Sequence, residues 1–243
     1  LDLNTLEYVE QKKVRFDSLG AVRGVDDVRK RVATMVAADD KAAQFARKVT
    51  LQVLAYASRR IPEIADDVVN IDRGMRWGFG WDIGPFETWD AIGVEKGLAM
   101  MAELGIEPAP WVAQMVASGR TAFYGTDGAA DTFWDIPSAS SKHAPDSQRN
   151  LRIEHLRRGN RKVKSSFGAT LWDMGDDVLL CEFHTKMNAI DDDIIAMLNA
   201  AVDIAEPNFK GIVIGNDGSP AFSAGANIMA LLMGAKADRK SVV

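Results

Sequence analysis

The period of the hydrophobic residues changes partway along this 243-residue chain, and that change constrains the fold more than any other feature. Up to about residue 120, apolar side chains recur at three- and four-residue steps, as one face of a helix requires. Val25, Val28, Val32 and Val36 form one such line. Ala42, Phe45, Val49, Val53 and Tyr56 form another, with Asp39 and Asp40 as candidate caps before it. Val68, Ile71 and Met75 continue the pattern. Gly93, Gly105 and Gly119 each follow a periodic stretch, where a left-handed cap favours glycine. From Ala169 onward the apolar residues instead come in short runs, Val178–Phe183 and 211–214. Such runs suit buried strands. Asp191, Asp192 and Asp193 open a helix between them, with Asp191 as its cap. Strand, helix, strand in that order implies a parallel pair joined by a crossover. The expected class is mostly α: an all-helical domain over residues 1–120, a connector over 121–168, and a βαβ segment over 169–243.

Composition excludes several alternatives. Apolar residues are 47% and charged residues 26% of the chain, an ordinary globular balance that excludes a disordered or collagen-like chain. A formal charge of -5 offers no electrostatic reason for nucleic acid as a partner. Arg157, Arg158, Arg161, Lys162 and Lys164 cluster in the connector without interleaved aromatic residues, so a solvated or docking face is expected there. Cys181 is the single cysteine; no internal disulfide can form, and a cytoplasmic protein is the expectation. No apolar run approaches the roughly 20 residues of a membrane span. His143, His155 and His184 lack metal-ligand spacing, so no metal site is expected. The chain opens on Leu1 rather than methionine and is read as a piece of a longer product.

Two stretches carry chemical information. The first runs from Ile64 to Gly93. Its glycines permit close helix packing, and Trp77, Phe79, Trp81, Phe86 and Trp89 suit either a packed helical corner or the lining of a groove. The order Asp72, Met75, Gly78, Gly80, Gly84, Pro85, Phe86, Glu87, Asp90, Gly93 resembles the C-terminal domain of 3-hydroxyacyl-CoA dehydrogenases. The resemblance implies a helical domain that closes over an acyl chain and contributes to a dimer interface, while hydride chemistry belongs mainly to a separate nucleotide-binding domain. The sequence has no G-x-G-x-x-G after a strand; Gly78-Phe79-Gly80 lies between helices and is not a dinucleotide fingerprint. The aromatic-rich pattern looks most like the second of two tandem helical domains in fused enzymes.

The second stretch runs from Val178 to Ile228. Glu182-Phe183-His184-Thr185-Lys186-Met187-Asn188-Ala189-Ile190 resembles the opening strand and turn of the crotonase family, and Phe222-Ser223-Ala224-Gly225-Ala226-Asn227-Ile228 resembles that family's Phe-x-Ala-Gly-Ala-Asp-Ile motif. Fixed backbone N–H groups stabilise the charge that develops on a thioester oxygen. By resemblance, Ala226 N–H is one half of an oxyanion hole, and Asn188, Ala189, Ala224 and Gly225 contact coenzyme A. Asn227 departs from the family's Asp. Glu182 is read as an outward-facing residue of its strand. Ser223 precedes Gly225 in a turn, without a G-x-S-x-G or an identifiable base to make it a nucleophile.

A second N–H donor from a Gly-Gly-Gly turn and two glutamates, which the crotonase pattern adds further along, are not found in the sequence. The expectation is a fragment of a multifunctional fatty-acid β-oxidation enzyme. Its parent would oxidise 3-hydroxyacyl-CoA with NAD and hydrate 2-enoyl-CoA. The fragment alone would be inactive, hold no cofactor, and supply substrate-side, dimerisation and partial CoA-binding elements. Its partners would be acyl-CoA, the missing NAD-binding domain, the remainder of the crotonase domain and, as one option, a second copy of itself. The alternative is a non-catalytic acyl-CoA-binding or dimerisation module. Truncation would leave strand edges and apolar faces exposed beyond Ala169.

Overall fold

A computed structural model describes residues 1–2, 4–10, 14–145, 151–217, 221–229 and 232–233. The chain divides into two units: residues 1–126 with 131–144, and residues 127–130 with 145–243. The expected connector 121–168 is therefore divided between them, its first part completing the first unit and its remainder beginning the second.

The first unit carries α1 (Asp17–Ala21), α2 (Val28–Ala37), α3 (Lys41–Arg59), α4 (Val68–Phe79), α5 (Pro85–Ile92), α6 (Val94–Glu103) and α7 (Pro110–Ala117). A small sheet follows, in the order β1 (Tyr124–Asp127), β2 (Ala130–Asp135), β3 (Ser140–His143). Asp40 caps α3 by accepting Ala43 N–H, as expected, and Gly93, Gly105 and Gly119 all adopt positive φ. The core gathers Leu51, Leu54, Phe86, Trp89, Met101, Val112 and Phe123. Phe123 packs edge-on to Phe86, with ring centroids 5.0 Å apart. The aromatic set is thus divided. Phe86 and Trp89 fill the core, while Trp77 and Phe79 remain exposed.

The apolar line on α3 does form one helix face, but a solvent-facing one: Phe45, Val49, Val53 and Tyr56 are all exposed. The buried face is Ala43, Leu51, Leu54, Ala55 and Ala57. Leucine and alanine let α3 sit close to its neighbours, and they compete successfully with the more conspicuous aromatic line.

The second unit holds α8 (Ile153–Arg158), β4 (Lys162–Ser165), β5 (Ala169–Gly175), β6 (Val178–Phe183), a 3-10 turn (Lys186–Asn188), α9 (Asp192–Asn208) and β7 (Gly211–Ile214). The sheet order is β4-β5-β6-β7. β4, β5 and β6 run antiparallel, and β7 pairs parallel to β6 with Val178 opposite Gly211 and Cys181 opposite Ile214. The expected strand–helix–strand unit is present, preceded by two antiparallel strands. Asp191 caps α9 through Ile194 N–H. Ile194, Met197 and Ala201 pack it on Leu171, Leu179 and Cys181. Burial pushes the Cys181 thiol up to about 11, so it is an inert core side chain at neutral pH. β7 lies at the sheet edge, with Ile212, Val213 and Ile214 exposed. After β7 the residues Asn216, Asp217, Gly218, Ser219 and Pro220 predict a turn and the residues beyond Ile228 an apolar segment; part of the first and most of the second lie outside the described residues.

Glu182 corrects an expectation. Its side chain is buried rather than outward-facing. One carboxylate oxygen accepts Arg157 at 2.5 Å and the other accepts the Trp172 indole N–H at 2.9 Å. The Arg157 guanidinium also lies over the Trp172 ring, 6.0 Å from its centroid. An acid is tolerated at this strand position because both of its oxygens are satisfied.

Candidate functional site

Two loops meet beyond the parallel end of β6 and β7. The first, residues 184–190, leaves β6 and doubles back. Met187 (φ 57°) and Asn188 (φ 51°) are successive left-handed residues, a conformation costly for methionine unless its surroundings hold it. The second, residues 221–227, returns to lie alongside. Ile190 and Ala226 form a parallel bridge.

Hydrogen bonds between the loops specify their register. Asn188 is buried, and its Nδ2 donates to the carbonyls of Ala221 (3.2 Å) and Phe222 (3.1 Å). Asn216 Nδ2 donates to the same Phe222 carbonyl at 2.7 Å, while its Oδ1 accepts Phe183 N–H at 2.7 Å. Ala224 N–H donates to Met187 O at 3.0 Å. Ile190 N–H donates to Gly225 O, and Asn227 N–H to Ile190 O, both at 2.8 Å. Gly225 has φ 82°, so glycine is suited to this turn.

This pattern determines where Ala226 N–H points. It shares a planar trans peptide with Gly225 O, so the two bonds point in opposite directions. Gly225 O faces Ile190, hence Ala226 N–H faces away from the 184–190 loop. Ala226 is exposed, and among the described residues its N–H has no acceptor. An outward backbone donor on a braced turn is what a carbonyl ligand needs.

The structure brings Asn188, Ala189, Ala224, Gly225 and Ala226 together in this one place. Asn188 braces the second loop, and Thr185 Oγ1 donates to Ala189 O at 2.7 Å. Sequence reasoning missed Asn216, whose side chain ties β6 to the second loop from 33 residues away. No local signal identified it. Ser223 is not arranged as a nucleophile. Its Oγ donates to Asn188 O at 2.7 Å and accepts Gly225 N–H at 3.0 Å. The arginines of the basic cluster are tied to acids: Arg157 and Arg158 pair with Glu154, and Arg161 with Asp173. His143 lies on β3, His155 on α8 and His184 just after β6. Among the described residues no group of three or more His, Cys, Asp or Glu converges as a metal site. No helix among them is long and apolar enough to cross a membrane.

The helical unit has its own candidate feature, a groove of about 380 Å³ beside the exposed face of α3. Val28, Val32, Val49, Val53, Trp81 and Ile83 line it, with Thr50, Asp82 and Thr88 as polar members. Two acids, the buried Asp72 and the partly buried Asp90, hold α5 in place. Asp72 of α4 accepts Phe86 N–H (2.8 Å), Glu87 N–H (2.9 Å) and the Tyr124 hydroxyl (2.8 Å). It therefore caps α5, whose own N-cap is the side-chain-less Gly84. Asp90 accepts Phe123 N–H (2.8 Å) and Tyr124 N–H (2.9 Å), tying α5 to the start of β1. Burial pushes Asp72 up to about 7 and Asp90 up to about 6, against the opposing pull of their hydrogen bonds. Burial, reinforced by Asp72, also pushes the Tyr124 phenol up, so it stays a donor.

Residues 45–130 match the family described as "3-hydroxyacyl-CoA dehydrogenase, C-terminal domain". A protein from Bacillus subtilis (strain 168), named "Probable 3-hydroxyacyl-CoA dehydrogenase", is 35% identical over 238 residues. The alignment covers 98% of this chain and 30% of that relative, so the chain spans under a third of the relative's length. No solved structure matches. The first unit thus carries a 3-hydroxyacyl-CoA dehydrogenase-like helical domain of the C-terminal type. The chain as a whole is similar to that relative over nearly all of its length.

Proposed function

We propose that these residues are the central part of a multifunctional fatty-acid β-oxidation enzyme, which oxidises 3-hydroxyacyl-CoA with NAD and hydrates 2-enoyl-CoA. One observation carries the hydratase half. In a chain that also has a dehydrogenase-type helical domain, Ile190 holds the Gly225 carbonyl so that Ala226 N–H turns outward. In this reading Ala226 N–H receives a thioester oxygen, and residues 188–189 and 224–225 border the coenzyme A moiety. NAD belongs to the dehydrogenase relationship; no glycine-rich phosphate loop in these 243 residues suits it. On its own the chain binds a CoA thioester without turning it over, because the second N–H donor and the two glutamates of the crotonase pattern are not found in its sequence.

Reading the gene on both sides tests this proposal. A glycine-rich nucleotide-binding segment before these residues, and a Gly-Gly-Gly turn followed by glutamates after them, are expected. Start and stop signals bounding them would overturn it.

The groove beside α3 favours a second reading, a non-catalytic acyl-CoA-binding or dimerisation module. Its walls are mostly apolar, and Phe45 and Tyr56 extend the apolar face beyond it. Clear hydration of crotonyl-CoA or oxidation of 3-hydroxybutyryl-CoA by the purified chain would count against this reading and against the inactivity proposed above.

A further inference from the structure

Ser223 is a residue for which the resemblance supplies no role, and its hydroxyl lies at the centre of the loop pair. It donates to Asn188 O (2.7 Å) across the loops and accepts Gly225 N–H (3.0 Å) within its own loop, so one hydroxyl serves as donor and acceptor at once. Gly225 is consequently held on both sides, by Ser223 at its N–H and by Ile190 at its carbonyl. That carbonyl belongs to the peptide whose other end is Ala226 N–H. With its left-handed φ and no side chain, Gly225 has wide conformational freedom, and few other restraints would stop this peptide from rotating. A rotation that broke the Ile190 N–H bond to Gly225 O would redirect Ala226 N–H.

We propose that Ser223 is a positioning residue that sets the aim of Ala226 N–H toward a bound thioester carbonyl. This role rests on the thioester site proposed above. Asn188 assists from the other side: its carbonyl receives the Ser223 hydroxyl, while its side chain holds the carbonyls of Ala221 and Phe222. Ser223 itself touches no substrate. It acts through the Gly225–Ala226 peptide.

The distinguishing quantity is the preference for a thioester over free coenzyme A, since only the thioester offers a carbonyl to Ala226. Acetyl-CoA and CoA are titrated against the full chain carrying Ser223, Ser223→Ala, Ser223→Cys or Ser223→Thr. Amide exchange at Gly225 is followed in parallel. In Ser223→Ala the acetyl-CoA to CoA affinity ratio should fall about five- to tenfold, the scale of one lost hydrogen bond, and Gly225 exchange should accelerate. Ser223→Cys, with similar volume and a weak S–H donor, should fall between, and Ser223→Thr should restore the ratio to within about twofold. A purely structural role would weaken both ligands alike and leave the ratio unmoved, which would overturn the inference. If the native chain itself does not prefer acetyl-CoA over CoA, the thioester site fails and this role fails with it. If the native chain shows the preference and Ser223→Ala keeps it, the role of Ser223 alone is overturned.

Discussion

Asp72 occupies the space that a side chain on Gly84 would need: a Cβ built on Gly84 falls 2.4 Å from the Asp72 carboxyl. The two residues divide one task between them. Gly84 starts α5 without a capping side chain, and Asp72 reaches over from α4 to accept the first N–H groups of that helix. Glu87 completes the arrangement by accepting Gly84 N–H at 2.8 Å. Changing either residue should disturb the same helix start.

Gly84→Ala should destabilise the helical unit by about 1–3 kcal/mol, the usual cost of overpacking. The φ at Gly84 is -80°, which alanine adopts freely, so the whole effect comes from the collision. Thermal unfolding of the variant measures it. An unchanged midpoint would mean that Asp72 can move aside cheaply.

The raised values at Asp72 and Asp90 make a prediction about pH. Both start from 3.8 and reach about 7 and about 6 in the folded chain. Between pH 4 and 7 the unfolded chain has already released protons that the folded chain still holds, so stability falls as pH rises through this window. The contribution is fully present below about pH 4 and lost above about pH 7. Asp40 and Asp135 act in the opposite sense: their values are lowered, mainly by hydrogen bonds from Ala43 N–H and from Lys142 respectively, and their contribution is lost in acid. Asp72→Asn should flatten the slope between pH 5 and 7. It should also cost about 1–3 kcal/mol, because an amide turns an NH2 toward one of the two backbone N–H donors. Denaturant unfolding across pH, native against variant, checks both.

Arg157→Ala should destabilise the second unit by about 1–3 kcal/mol. The buried Glu182 would keep only the Trp172 indole N–H. Removing one partner of a fully buried pair costs roughly 3–5 kcal/mol, and the half-exposed position of Arg157 reduces that figure. Adding Glu182→Gln to Arg157→Ala should recover part of the loss, since a glutamine needs no charge partner. No recovery in the double variant would place the cost in lost packing on Trp172 instead.

Val53 tests the groove. Val53→Asp puts a charge among Val28, Val32 and Trp81 while leaving the buried face of α3 intact. If the groove receives an acyl chain, palmitoyl-CoA affinity should drop at least tenfold and acetyl-CoA affinity should not change. Equal retention of palmitoyl-CoA would rule the groove out as the acyl-chain site.

The helices, their caps and the strand–helix–strand order were legible because each depends on local signals: period, a capping acid, a glycine at a left-handed end. What was not legible depends on contacts between distant residues. The repeat Phe45–Val49–Val53–Tyr56 indicates a helix, yet the small line through Ala43, Leu51 and Ala55 turns inward, because close helix approach is decided by the neighbours. Asp72 lies next to Ile71 in an apolar-periodic stretch and shows nothing of its capping role until α5 is packed against α4. A Cβ at Gly97 of α6 would lie 2.3 Å from Trp89 Nε1, so packing requires glycine there, and only the packed neighbour reveals it. Glu182 looks solvent-facing until Arg157 and Trp172 close on it. At the candidate site, the residues of the two motifs lie side by side, whereas Asn216 and the bridging role of Ser223 emerge only from the hydrogen bonds between the loops.

The most direct test of the thioester site follows the backbone amides of the 15N-labelled chain as acetyl-CoA is added. A parallel titration uses the thioether analogue S-ethyl-CoA, which lacks the carbonyl. The thioester site predicts that both ligands shift residues 188–189 and 224–225, and that only the thioester moves the Ala226 amide strongly downfield. Identical shifts at Ala226 with both ligands, or no shifts in these loops at saturating ligand, would contradict it.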